Sequence, residues 1–413
     1  MASSGSASDS GSNAGRAPVD VGVVGGGIAG LTAATALARR GRRVALFEAK
    51  RYPFHRLCGE FLSPEFEALS ATVGFDVSPL AAIAAPMRRT RFTAPRGRPF
   101  EDALPGVALG VSRYAIDAEL ARQARAAGVE LFEGEKVRAV RGGGPDGSSA
   151  IVTDAGEVEC RRVVLATGKL RTEWRRLVVG GELAEAQHGP LMGLKQHGHL
   201  DGVGDVVEIH TFPGGYCGVN PIEGGRVNVC LIARTAAFKP HKTPERFLDW
   251  IASRNRHLGA RLAAFRPLDE PVLAVQSHFD TGPVDESLRP REALLAGDAS
   301  GMVSPLAGEG MCLALRGGRA AAVLLDAHLS GRVGWDQVLR LARECEQDEK
   351  GGLMRLGKVL EAALFQPALA SSLISLLSVA GPLRRAAIVG TRKLSPALPE
   401  ALRGLATAAP EAT

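Results

Sequence analysis

Gly25, Gly27 and Gly30 stand at the spacing G-x-G-x-x-G in the stretch Val21-Gly-Val-Val-Gly-Gly-Gly-Ile-Ala-Gly30. Glycines so spaced between a strand and a helix suit diphosphate binding. The first permits a tight turn, the second lets backbone approach the ligand, and the third brings helix against strand. The diphosphate then meets free N–H groups at the positive end of a helix dipole, and Ala29 belongs to the same candidate site. Glu48 closes the next apolar run, Arg43-Val-Ala-Leu-Phe-Glu48, at the distance where a carboxylate accepts from a ribose 2′-OH. That carboxylate would repel a 2′-phosphate, which disfavours NADP at this turn.

Two later stretches end in a related way. Arg162-Val-Val-Leu-Ala-Thr-Gly168 reads as a buried strand stopping on a glycine. Ala293-Leu-Leu-Ala-Gly-Asp298 reads as another, followed by Ala-Ser-Gly-Met-Val-Ser-Pro-Leu-Ala-Gly-Glu-Gly310 and a long apolar helix. With the first turn they make three strand ends expected to converge on one ligand.

Reactive side chains are sparser. Cys58, in Cys58-Gly-Glu-Phe-Leu-Ser-Pro, either faces a ligand or is a small buried apolar group. His55 and Arg56 read as solvated loop residues. Tyr216 and Cys217 share one expected strand, as pocket lining or as core. His197 shows no carboxylate partner nearby in sequence and is not assigned as a general base. Six cysteines with no C-x-x-C spacing argue against a zinc site and a disulfide framework, no metal is expected, and a reducing compartment fits.

The elements that must position these residues alternate in type. Strand, turn and helix patterns fill residues 18–86, with a helix from Leu31 to Arg40. Residues 87–111 turn strand-like, and Asp117 is the expected N-cap of an amphipathic helix running to Ala127. Short strands follow at 129–132, 136–141 and 150–153. From about 191 to 279 the pattern is antiparallel, with strands 205–212, 215–222 and 226–233 and helical pieces 244–253 and 259–265. Beyond residue 310 the chain reads as helical to its end.

At this point the sequence resembles the FAD-dependent oxidoreductases that include para-hydroxybenzoate-hydroxylase-type monooxygenases and geranylgeranyl reductases. The resemblance rests on the first glycine turn, the Ala-Thr-Gly168 strand end and Gly-Asp298, in that order. It implies FAD, with the ADP half on the first turn, the ribityl–pyrophosphate part on Asp298, and Pro305, Gly308 and Gly310 beside the isoalloxazine. A helix N-terminus at 308–311 would stabilise the negative charge of the reduced flavin. Arg113 matches a position near the cofactor and would pair with the pyrophosphate. The Cys58-Gly59 loop and Pro213-Gly-Gly-Tyr-Cys-Gly-Val-Asn-Pro221 resemble the geranylgeranyl-reductase side, where tryptophan and phenylalanine usually stand in place of Gly218 and Asn220. The Asp-Gly pair of the hydroxylases is missing after Gly168-Lys169, and the halogenase Trp-x-Trp-x-Ile-Pro signature is missing altogether.

The expected fold class is α/β. A discontinuous Rossmann-type FAD-binding domain takes residues 18–86, 105–185 and 286–330. An inserted, mainly antiparallel β-sheet substrate domain takes 87–104 and 186–285, and a C-terminal helical region takes 331–413. Residues 1–17 read as a Ser/Gly/Ala-rich tail. A chain of 413 residues, 45% hydrophobic, can fill cores of that size. The net charge of +6 suits phosphate-bearing ligands, and no nucleic-acid motif accompanies it. Ala362–Leu383 carries no charge and reads first as helices over an apolar pocket, second as a membrane-surface patch, and third as a membrane span.

These readings lead to an FAD-dependent oxidoreductase of a hydrophobic small molecule in secondary metabolism. Oxygenation is preferred over saturation of an isoprenoid C=C bond, because the substrate hairpin departs from the reductase pattern. A non-catalytic isoprenoid-binding protein on the same fold is the third reading. NADH or NADPH is the expected transient reductant, with a separate electron donor as the alternative. The expected location is the cytoplasm, with peripheral membrane contact through the C-terminal helices as a further option.

Overall fold

The computed structural model describes residues 17–142, 147–169, 171–179, 191–269, 273–279, 281–392 and 395–406. The tail expected at 1–17 therefore lies almost wholly outside the described residues, as does the tip of the hairpin at 143–146.

The first sheet is built around Val19–Val24, an apolar strand buried almost throughout. Such near-continuous apolar strands belong to parallel sheets covered on both faces. Val44–Glu48 pairs with it in parallel on one side and Gly156–Leu165 on the other. Glu130–Glu133 extends the sheet beyond Val44–Glu48, and Ala293–Leu295 runs parallel to the end of Gly156–Leu165. Ser149–Thr153 and Val137–Gly142 complete it as antiparallel strands. Val24 lies opposite both Phe47 and Leu165, and Leu295 is opposite Leu165, so all these strands finish at one edge.

Helix Ile28–Ala38 is almost entirely buried, because Gly310–Leu329 crosses its other face. The crossing is close: a Cβ on Gly318 would lie 2.4 Å from the carbonyl oxygen of Ala29.

The second sheet is mainly antiparallel, in the order Arg266–Pro267, Leu191–His199, Arg226–Arg234, Gly215–Ile222, Val206–Phe212, Ala85–Thr93, Phe100–Gly110 and Phe61–Leu62. Leu273–Phe279 also pairs with Leu191–His199, and Val206–Phe212 runs parallel to Ala85–Thr93. Helices Pro244–Arg254 and Arg256–Ala264 cover one face through Phe247, Ile251 and Leu258. Helices Trp335–Leu364, Pro367–Val379 and Gly381–Gly390 follow the first sheet's crossing helix, and Phe365 at their first bend packs toward the other face. The α/β class, the Rossmann-like sheet, the second sheet and the C-terminal helices are as the sequence implies.

Asp117 is not an N-cap. The helix runs Arg113–Ala126, and the Ser112 hydroxyl caps it by accepting from the Ala115 N–H. Asp117, one turn in, is fully buried and paired with arginines, which satisfy a charge that a cap position would have exposed.

Candidate active site

The first glycine turn is fixed by space. Gly25 has φ of 103°, and a Cβ there would lie 2.4 Å from the Ala166 carbonyl oxygen. A Cβ on Gly30 would lie 1.9 Å from the oxygen of Gly25. Glu48 ties the turn to the next strand, accepting from the Gly26 N–H at 2.9 Å and from Lys50 N–H at 3.0 Å. Arg56 adds a third partner at 2.8 Å, which leaves about one of the carboxylate's roughly four acceptor directions for a ribose hydroxyl.

Arg56 is therefore no solvated loop residue. Its guanidinium bridges Glu48 and the buried Asp117, the latter at 2.9 Å. Its neighbour His55 lies tilted against the Tyr114 ring at 4.9 Å and meets His197 edge-on at 5.3 Å. Arg113 forms a two-point pair with Asp117 at 2.8 Å, and its Nη2 lies 3.9 Å from where a Gly27 side chain would start. Burial works against its charge, and Asp117 and Cys58 outweigh that and hold it cationic.

Opposite the turn, Gly297 has φ of 65°, and a Cβ there would lie 2.7 Å from the Ala29 methyl. Ala29 thus seats the Gly297-Asp298 turn. That turn is held from beneath by Lys350, whose buried ammonium donates to Gly297 O at 2.7 Å, Ser300 Oγ at 2.9 Å and Gly301 O at 2.9 Å. The sequence gives no sign of this lysine, which lies on a helix far from the motif.

A cleft edge without side chains runs along these segments. Gly168 and Gly310 would meet nothing within 4 Å if given a Cβ, and Gly27 is nearly as open. Glycine backbone, helix N–H groups, Arg113 and a carboxylate together fit an elongated dinucleotide. Gly25, Gly27, Gly30, Glu48, Arg113, Gly168 and Asp298 would hold FAD there, with Pro305, Gly308 and Gly310 at its far end.

At that far end Cys58 is half-buried, its Sγ 4.0 Å from the Met311 sulfur and accepting from the Glu60 N–H at 3.4 Å. Lys169 donates to the Leu57 carbonyl at 3.3 Å. Burial pulls its ammonium below the ordinary lysine range, against the nearby Cys230, Cys58 and Asp298.

The second sheet presents one face to this loop, and strand periodicity decides which residues arrive. Three cross-strand rows form: Gly193, Ile232 and Tyr216; Lys195, Cys230 and Gly218; His197, Asn228 and Asn220. The first row is apolar and continues to Met302, Leu306 and Phe365. The second and third are polar and close on the loop. Cys217, adjacent to Tyr216, points the other way into the core with Phe212 and Phe247. Only Tyr216 of the expected pair is on the site face, because successive residues of a strand face opposite sides.

Glu60 is the hub of the polar rows. It is fully buried with φ of 55°, a left-handed conformation unusual for a side-chain-bearing residue. Lys195 donates to its Oε1, the Arg113 N–H reaches the same oxygen at 2.8 Å, and His197 Nε2 lies 2.6 Å from Oε2. Burial alone would raise this carboxyl, but the His197 hydrogen bond and the Lys195 charge win and hold it below the usual range. His197 thus has a carboxylate partner after all, remote in sequence.

Beside the helix start, Glu309 accepts from Ser63 at 2.8 Å and from Arg392 at 3.0 Å. Burial, first, and then the neighbouring Glu65 carboxyl push its carboxyl up to about 8. Glu65, Glu309 and Cys312 offer ligand atoms within 4.8 Å of one another, but burial raises the Glu309 carboxyl and the Cys312 thiol toward their protonated forms, which bind a cation poorly.

Residues 111–324 match the family model described as FAD dependent oxidoreductase, and residues 23–75 match that of an NAD(P)-binding Rossmann-like domain. The chain is 28% identical over 341 residues to a menaquinone reductase of Mycobacterium tuberculosis strain CDC 1551, covering 78% of this chain and 79% of the relative. It is 25% identical to a geranylgeranyl diphosphate reductase of Rhodobacter capsulatus, covering 83% of each. Its fold matches the crystal structure of a geranylgeranyl bacteriochlorophyll reductase-like protein from Thermoplasma acidophilum, with a TM-score of 0.73, 21% identity, and coverage of 90% of this chain and 96% of the other. With one family model spanning more than half of its residues, this chain belongs to the FAD-dependent oxidoreductase family.

Proposed function

We propose that this oxidoreductase saturates a carbon–carbon double bond in an apolar, isoprenoid-type substrate. The observation that carries this reading is Asn228, whose Nδ2 donates to the carbonyls of Cys58 at 3.2 Å and Gly59 at 2.9 Å. It joins the cysteine-glycine loop to the substrate-sheet hairpin, the two segments that resemble geranylgeranyl reductases. The names of both sequence relatives support reduction as well. Gly218 and Asn220, the departures that on sequence favour oxygenation, leave the Asn228 link to the Cys58-Gly59 loop intact.

FAD, once bound and reduced, would supply the hydride for one carbon of the double bond. The Cys58 thiol delivers the proton to the neighbouring carbon, with Lys169 and Arg113 at hand to stabilise the thiolate left behind. Glu60, Lys195 and His197 hold the loop that aims the thiol. Tyr216, Ile232, Met302, Leu306 and Phe365 surround the apolar chain and exclude water. NADH or NADPH is the proposed source of electrons.

Anaerobic incubation of the FAD-loaded enzyme with NADH or NADPH and either menaquinone or geranylgeranyl diphosphate tests the reading by product mass. A gain of two hydrogens in the isoprenoid chain, with slower turnover in Cys58→Ala, is the expected result. A gain of oxygen in air, with no anaerobic product, would establish the monooxygenase reading instead.

A further inference from the structure

We propose that the outer face of helix Pro367–Val379, continuing onto Leu383, docks on a bilayer carrying anionic headgroups. The surface rests on geometry and charge, whichever reaction the site performs.

The helix has the sequence Pro-Ala-Leu-Ala-Ser-Ser-Leu-Ile-Ser-Leu-Leu-Ser-Val, with no charged residue on any side. Its inner face buries Ala370 and Ile374, with Leu373 and Leu377, in a cluster with Phe92, Phe100 and Leu364. Its outer face is a stripe of Leu369, Leu376 and Val379, exposed by 49%, 52% and 71%, and Leu383 follows at 51%. A helix with apolar residues on both its inner and outer faces is normally covered on both, and a contiguous exposed apolar stripe marks a surface that meets something.

The charges around the stripe say what. Residues 362–399 contain no Asp or Glu. Arg96 and Arg98 sit on a turn whose N–H groups bond Ser371 Oγ and Ser375 Oγ, beside the helix. Arg384 caps the helix end through the Leu377 and Ser378 carbonyls and pairs with Asp102 at 2.7 Å. Exposed Arg96 and Arg98 form no ion pair among the described residues, and exposed Arg385 donates to the Ala103 carbonyl at 2.6 Å beside Asp102. Leucine and valine flanked by arginines, with Arg96 and Arg98 free of carboxylates among the described residues, match the acyl and headgroup layers of an anionic lipid surface.

The proposed mode is lying on the membrane: no single described helix is long and apolar enough to cross, and the one pair that passes on length and composition together, Trp335–Leu364 with Pro367–Val379, is bent by 110°. That bend lies at the site: the Phe365 carbonyl accepts from the Gly214 N–H at 2.9 Å, and its ring is 6.4 Å from Tyr216. The docking face therefore begins where the apolar row of the site ends.

Co-sedimentation of the full-length, FAD-loaded protein with vesicles of phosphatidylcholine, with or without phosphatidylglycerol, tests this. The protein is expected to pellet with the phosphatidylglycerol vesicles and several-fold less without them. Binding should weaken with salt and in Arg96→Ser/Arg98→Ser, and disappear in Leu376→Glu/Val379→Glu. Both last positions are exposed, so bound-FAD absorbance and melting temperature should stay at wild-type values; if they fall, Leu376→Ser replaces the pair. Absence of binding at low salt, or binding indifferent to these substitutions, overturns the proposal. So does a lipid-free dimer that Leu376→Glu/Val379→Glu dissociates, since the face would then belong to a second copy.

Discussion

His197 Nε2 lies 2.6 Å from Oε2 of Glu60, a carboxylate on the loop beside Cys58, although 137 residues separate them in the chain. A carboxylate only accepts, so Nε2 carries a proton in either charge state of the ring. Lys195 donates to the other oxygen of Glu60, so one buried anion holds two strand residues against the loop. Glu60→Gln leaves the Lys195 ammonium buried without its counter-charge, at an expected cost of about 3 to 5 kcal/mol in urea unfolding at neutral pH. Adding Lys195→Met should recover part of that loss, because the unpaired charge goes with it. The carboxyl is held below its ordinary value of 4.5, so its stabilisation is present above that pH and fades as pH falls through the depressed folded value. Glu60→Gln should flatten that acid limb.

Lys350 supports the Gly297-Asp298 turn through three acceptors. Lys350→Met keeps the apolar stem and removes the donors. Each hydrogen bond from a charged group contributes about 1.5 to 3 kcal/mol, so loosening this turn should weaken FAD binding by tenfold or more, roughly 1.4 kcal/mol per decade. Titration of the apoprotein with FAD reads the change. Unaltered affinity in a stably folded variant would separate the turn from the cofactor.

Glu309 gives a pH dependence of the opposite sign. Its folded carboxyl titrates at about 8 against an ordinary value of 4.5, so the folded state keeps a proton that the unfolded chain has lost. Stability from this group therefore declines as pH rises from 4.5 toward about 8, by at most about 1.4 kcal/mol per pH unit. Glu309→Gln keeps the shape, cannot ionise, and should remove that slope. Urea midpoints measured across the same window check it.

The first glycine turn was legible because its constraints are local. Gly25 needs its positive φ and Gly30 its missing side chain whatever the rest of the chain does, so motif spacing alone exposes them. The opposite wall was hidden because it is assembled by pairing. Lys195, Asn228 and Asn220 share a face only through the register of three strands, which no single stretch encodes. One local signal was available: Lys195 and His197 stand two residues apart in Leu191–His199 and therefore share one strand face. The same alternation excludes Cys217 from the site once Tyr216 is placed in it. Lys350 had no signal at all, since a buried lysine on an amphipathic helix reads like any other.

Gly218 is the position at which the width of the site face can be tested. It lies in the row with Lys195 and Cys230, where the reductases that this chain resembles carry a tryptophan. A Cβ at Gly218 would meet its nearest atom, the Cys230 carbonyl oxygen, at 3.5 Å, which is ordinary contact. Its backbone also lies outside the left-handed region, so the strand tolerates a side chain there. Gly218→Trp should therefore fold with FAD bound while an indole fills the space before Cys58. If that space admits a substrate broader than a linear polyprenyl chain, KM should rise at least tenfold for a ring-bearing quinone and change little for a linear isoprenoid. Equal effects on both would mean that substrate width is set elsewhere, and the apolar row of Ile232 and Tyr216 would be the next place to narrow.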